Sequence, residues 1–150
     1  MRRRLDHTAH FAGRFGAIYF ITICCQRRRV NQLCHDDTAA VLASTARIYH
    51  EQARWNLNLL LLMPDHLHAL LSFAHDESRS EVIRDWKRFH ARTNHVIWQE
   101  GYFDHRLRAD ERGEQLSSKM NYLRQNPVAA GLCAKAEYWP WFIDSFAREH

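Results

Sequence analysis

The stretch from Leu59 to Phe73, LLLLMPDHLHALLSF, constrains the fold more than any other in this chain. It sets two apolar runs on either side of Met63-Pro64-Asp65. Proline lacks a backbone donor and aspartate favours turns, so the runs read as two strands joined by a tight connection. Side chains alternate across a strand, so His66 and His68 share a face, about 6.6 Å apart along it. Leu67 between them points to the other, apolar face. Two imidazoles so placed can converge on one cation, and imidazole suits several transition metals. Taken alone, such a pair reads equally well as two surface histidines on the polar side of a half-buried strand.

At 150 residues the chain is expected to form one domain, 1–150, with a substantial core. The formal charge is only +4, but its distribution is uneven. Arg2, Arg3, Arg4, Arg14, Arg27, Arg28 and Arg29 stand against Asp6 alone in the first 29 residues, and the remainder is slightly acidic. A localised basic region fits nucleic acid or another polyanion. Cys24, Cys25, Cys34 and Cys133 show no C-x-x-C spacing, which argues against a zinc finger and for buried free thiols. MRRRLDHTAH is not followed by the apolar stretch of a signal peptide, and the longest apolar runs are too short to span a membrane. The expectation is a cytoplasmic protein with no membrane partner.

Residues 1–16 read as a basic arm. Ala17 to Cys25 is β-branched and aromatic, a buried strand. Thr38 to about Arg54 carries a helical apolar stripe, and Trp55 to Met63 pairs with His66 to Phe73 as a hairpin. Ser78-x-x-Glu81 matches a capping box ahead of a helix reaching about His95. A strand follows near Tyr102 to Leu107, then a helix from Glu111 to Gln125, which Pro127 should end or bend at Asn126. Residues 133–150 form an aromatic tail, expected to pack. Strand, helix, strand, strand, helix, strand, helix predicts an α+β fold, a ferredoxin-like split β-α-β sandwich with an antiparallel sheet. Helices would cover one face, leaving the histidine face free for a ligand. A further helix could lie against that face, near the histidine strand.

Four ordered blocks carry a family resemblance. Met63-Pro64-Asp65-His66-Leu67-His68 resembles the HUH motif of single-tyrosine transposases. Asn121 to Leu132, NYLRQNPVAAGL, resembles the tyrosine helix of the REP-associated tyrosine transposases, and Trp86 to Phe89 and Trp98 to Arg108 match the run between them. The resemblance spans about residues 17 to 142. It implies metal-dependent cleavage and rejoining of single-stranded hairpin DNA, the REP-like palindromes of bacterial genomes, through a 5′-phosphotyrosine. It implies a nucleoid-associated enzyme working as monomer or homodimer. Carried across residue by residue, Tyr122 is the nucleophile, His66 and His68 are metal ligands, and Asn126 completes the site around Mn²⁺ or Mg²⁺. Arg27, Arg28, Arg29, Lys87, Arg88 and Arg92 are candidate phosphate contacts.

The sequence departs from the family pattern at Asp65, often asparagine there, and at His90, often a hydroxyl residue. Asp65 could cap the turn or orient a histidine; Asp104 and His105 carry no assigned role. Residue chemistry alone leaves Tyr102, near Asp104 and His105, in competition with Tyr122. Two other function classes remain in view. One is a DNA-hairpin-binding regulator that does not cut. The other is a two-histidine phosphoesterase, which usually needs two His-x-Ser/Thr motifs where this chain has one pair followed by Ala69.

Overall fold

The computed structural model describes residues 15–107 and 112–144. Strand β1 (Phe15–Cys24) leads to helix α1 (Asp36–Glu51), the hairpin β2 (Trp55–Leu62) and β3 (His66–Ala74), and helix α2 (Arg79–Thr93). Strand β4 (Phe103–Arg106), helix α3 (Arg112–Ala129), a 3₁₀ turn (Ala136–Tyr138) and strand β5 (Phe142–Asp144) follow. The sheet order is β4-β1-β3-β2-β5, antiparallel at every pairing. Its first four strands have the ferredoxin-like split arrangement that the element order predicts. Most of the arginine-rich arm, residues 1–14, lies outside the described residues, as do 108–111 and 145–150. The arm is shorter than expected, because Phe15 and Gly16 already belong to β1.

Alternation along the strands divides the apolar residues between two clusters. Ile21, Ile23, Leu67, Ala69 and Leu71 meet Ala39, Leu42 and Ala46 of α1 and Val82, Ile83 and Trp86 of α2. Ile18, Leu59, Leu61 and Leu70 meet Met120 and Leu123 of α3. Helix α3, the further helix that the sequence reading places near the histidine strand, covers much of the histidine face. The reason is that Leu59, Leu61 and Leu70 make that face apolar away from the histidines, and exposed leucines there would each forgo about 1.5–3 kcal/mol.

Helix α3 also runs past its expected end, continuing through Pro127 to Ala129. Proline's cost is steric and local. Here it falls in the last turn, and Pro127 is itself buried. Gly131, at φ +77°, then closes the helix. Its N–H donates to the Val128 carbonyl (2.9 Å) and that of Leu132 to the Pro127 carbonyl (2.9 Å), the paired bonds of a Schellman cap. Within the described part of the aromatic tail, Trp139, Trp141 and Phe142 pack against the two clusters. The Trp139 indole donates to the Leu62 carbonyl at 2.9 Å, and β5, too short to be read from sequence, adds a fifth strand beside β2. Cys24, Cys25 and Cys34 are buried free thiols and Cys133 is partly exposed. Among the described residues no helix is long and apolar enough to cross a membrane.

His90 is wholly buried between α1 and α2. The Asn94 amide donates to its Nδ1 (2.8 Å), so Nε2 carries the proton and donates to Thr45 Oγ1 (2.7 Å). Trp86 Nε1 donates to the same oxygen at 3.0 Å. A hydrogen-bonded neutral imidazole thus joins the two helices, and burial pushes its pKa down to about 4. In the unfolded chain it titrates near 6.5, so the unfolded state binds the extra proton first as pH falls. The His90 contribution is full above pH 6.5 and is lost progressively toward pH 4. Urea unfolding across that window should lose on the order of 3 kcal/mol more in the wild type than in His90→Gln, at one proton's linkage.

Candidate active site

The turn between β2 and β3 is held from below by the segment that follows β1. Gln32 and Leu33 N–H groups donate to the Pro64 carbonyl, at 2.9 and 3.1 Å, and Cys25 N–H donates to that of Asp65 at 2.9 Å. Asp65 is buried at the centre of this junction. Its Oδ2 accepts from the Arg29 amide at 2.7 Å and from Arg28 Nε at 3.0 Å, while Oδ1 meets His66 Nδ1 at 2.7 Å. Arg29 takes φ +67° to aim its amide there, a left-handed conformation that costs a non-glycine residue. Burial by itself would raise the Asp65 carboxyl. The Arg29 amide, the His66 ring and the Arg28 guanidinium outweigh it and hold the group well below the usual carboxylate range.

An ionised Asp65 accepts only, so His66 Nδ1 carries a proton and the neutral tautomer it selects presents Nε2. His68 is 8% exposed, and its Nδ1 is engaged by Thr22 Oγ1 at 2.9 Å. Burial, with a smaller contribution from the neighbouring His66 ring, pushes the His68 pKa down to about 3, so the ring is neutral near pH 7. The two ring centroids are 4.9 Å apart. Both Nδ1 atoms are thus occupied within the protein and both Nε2 atoms are left for a ligand, the usual state of metal-binding histidines supported from behind. Among the described residues no group of three or more His, Cys, Asp or Glu side chains converges as a metal cage. The donor set fits an open site, two imidazoles with remaining positions for water, phosphate oxygens or an amide.

Helix α3 lies over the same face. Met120 and Leu123 point into the sheet, whereas Tyr122 is 58% exposed. At 100° per residue, Lys119, Tyr122 and Asn126 fall on one flank of the helix and Arg124 on the other. Arg124 pairs with Asp144 of β5. Lys119 Nζ lies 4.9 Å above the Phe20 ring, and Phe20 packs at 5.3 Å against His68. The flank bearing Tyr122 and Asn126 is therefore the one turned toward β1 and the histidines. No hydrogen bond or ring contact joins either residue to His66 or His68 among the described residues. Of the other tyrosines, Tyr19, Tyr49 and Tyr102 pack against the opposite, α1/α2 cluster.

The basic candidates are dispersed. Arg27, Arg28 and Arg29 are exposed at the rim of the histidine turn. Arg88 and Arg92 are exposed on α2, across the sheet from His68. Lys87 is partly buried, and its ammonium donates to the Gln99 (3.0 Å) and Gly101 (2.6 Å) carbonyls. It fastens the α2–β4 connection. Asp104 pairs with Arg79 at 3.0 Å. Thr22, Phe20 and Lys119 escaped sequence reasoning. Only Thr22 carried a signal, a polar residue inside an apolar strand. A cavity of about 590 Å³ on the Arg124 flank is lined by Leu61, Trp139 and Phe142 and does not include the histidines.

Asp65→Ala should release His66 to the Nε2–H tautomer, read by ¹⁵N chemical shifts of the ring. It should also lower stability by about 1–3 kcal/mol, because the Arg29 amide and Arg28 lose their acceptor. An unchanged His66 tautomer would show that Asp65 does not orient the ring.

No protein-family model and no curated protein sequence matches the chain. Among solved structures, a REP-associated tyrosine transposase bound to a REP hairpin superposes with TM-score 0.74 and 20% identity, covering 99% of this chain and 82% of that chain. A candidate transposase from Deinococcus radiodurans R1 aligns with TM-score 0.49 and 19% identity over 69% of this chain and 88% of that one. The likeness to the first is one of fold. This chain shares the α+β architecture of a REP-associated tyrosine transposase, an antiparallel sheet packed by helices.

Proposed function

We propose that the protein is a metal-dependent single-stranded DNA endonuclease and transposase that cleaves and rejoins hairpin-forming, REP-like palindromic DNA through a 5′-phosphotyrosine. The observation that carries this reading is the histidine pair, each ring braced through Nδ1 with Nε2 open, beneath the helix flank that bears Tyr122. The shared fold with a hairpin-bound transposase supports it.

His66 and His68, with Asn126, would hold the divalent ion, Mn²⁺ or Mg²⁺. Such an ion supplies positive charge at the scissile phosphate when bound. The chain's own groups do the rest. Tyr122 Oη attacks phosphorus and the 3′-oxygen leaves, so one phosphodiester is exchanged for another and rejoining needs no ATP. A free phenol ionises only near pH 10, so the tyrosine is a weak nucleophile until its proton is removed near the site. Exposure on α3 gives Tyr122 room to turn toward a strand lying between the helix and the histidines. Arg28, half exposed beyond its bond to Asp65, and its neighbours Arg27 and Arg29 serve as backbone contacts at the rim. Arg88 and Arg92, on the far face, serve a longer or wrapped duplex stem. The working unit is a monomer, or a homodimer in which the tyrosine of one protomer serves the histidines of the other.

The test is incubation of end-labelled hairpin DNA with Mn²⁺ or Mg²⁺, resolved on denaturing gels. Wild type should form a covalent adduct, Tyr122→Phe should bind hairpin nearly as well and form none, and His66→Ala should lose cleavage at low metal. An adduct in Tyr122→Phe would exclude that residue as nucleophile. Salt-sensitive binding with no adduct across many palindromes and both metals would favour a hairpin-binding regulator that does not cut.

A further inference from the structure

Strand β4 carries an aromatic side chain that the fold does not use. Phe103 is 61% exposed, although phenylalanine is among the residues most often buried. The ladder fixes its direction. Phe103 lies opposite Thr22 and His105 opposite Phe20, and Thr22 lies opposite His68. Directly paired residues share a face, so Phe103, Thr22 and His68 form one row across β4, β1 and β3. Asp104 points the other way, toward Arg79 of α2, which confirms the alternation. Lys119 sits over Phe20, so α3 reaches β1, while β4 is exposed along its whole length. The row thus runs from the open histidine pair to an uncovered aromatic ring at the sheet edge.

We propose that Phe103 is a stacking platform for an unpaired base of the single strand engaged at the histidine pair, with His105 and Lys119 beside it as contacts to the backbone. The proposal rests on the reading that the substrate is single-stranded DNA, and it adds a positioning residue to that site. A flat apolar ring, with an imidazole two residues along its own strand and an ammonium over Phe20 of the next strand, suits a base whose phosphates continue along the sheet. Phe103 and His68 are two strand spacings apart, about 10 Å, close enough for one strand to meet both. A stacked ring accepts any base, because every base has a π-face, and it excludes a base held inside a duplex. The edge of the sheet then selects unpaired DNA next to the reacting phosphate.

The experiment compares two hairpins, one with a single-stranded extension carrying 2-aminopurine and one blunt, binding to wild type, Phe103→Ala and Phe103→Tyr. Phe103→Ala should weaken binding of the extended hairpin roughly 5- to 100-fold, leave the blunt hairpin unchanged, and abolish the fluorescence change of 2-aminopurine. Phe103→Tyr should restore all three readings, and matching circular dichroism spectra should show that the variants fold. Extended-hairpin binding by Phe103→Ala at wild-type strength, or equal losses on both hairpins, would overturn the platform while leaving the cleavage reading intact. Wild type that binds neither hairpin would remove the cleavage reading, and the platform with it.

Discussion

A single buried carboxylate holds the candidate site together. Asp65 receives the Arg29 amide, the Arg28 guanidinium and the His66 ring at 2.7–3.0 Å. Hydrogen bonds to an ionised group in a partly buried setting are stronger than neutral ones. They join two chain segments, the loop after β1 and the β2–β3 turn with the first residue of β3. The left-handed Arg29 shows that the backbone accepts strain to complete the set. The same carboxylate determines which nitrogen of His66 is free, so the anchor of the turn also sets the chemistry of the ligand.

The second constraint is alternation along β3. Leu67, Ala69 and Leu71 go to the α1/α2 cluster, and His66 and His68 go to the other face. A slip of one residue would exchange them and bury the imidazoles among leucines. Pairing on both sides, with β1 and β2, prevents that slip. The histidines consequently sit near the middle of the sheet, with α3 over one side and the uncovered β4 edge on the other. A strand of nucleic acid entering from that edge would meet Phe103 before it met the histidines.

Much of this was legible beforehand because it is local. The hairpin, the shared face of His66 and His68, the capping of α2 by Ser78 (Oγ accepting from the Glu81 amide) and the helical phase of Tyr122 and Asn126 depend on neighbours within a few residues. Asp65 beside His66 was readable for the same reason. The contact of Thr22 with His68 was not, since the two are 46 residues apart and no local pattern encodes it. Lys87 looked like a phosphate contact because its row of α2 is basic; the Gln99 and Gly101 carbonyls that take its ammonium arrive only when the α2–β4 connection folds back. His90 stood out only as a departure from the family's usual hydroxyl residue, and it is a helix-to-helix tie in the core.

The sequence by itself determined the order of elements, the ferredoxin-like frame and the pairing of two histidines on one strand face. Periodicity of 2 or 3.6 and the chemistry of turn residues act over short distances and survive without knowledge of the fold. Only the tertiary structure decided that α3 passes Pro127, that Tyr102 lies on the face opposite the histidines, and that Phe103 stays bare. Those outcomes depend on which apolar surfaces meet across the sheet, and burial of Met120 and Leu123 against β-strand leucines, with Pro127 itself buried, outweighs the local preference of proline to end a helix.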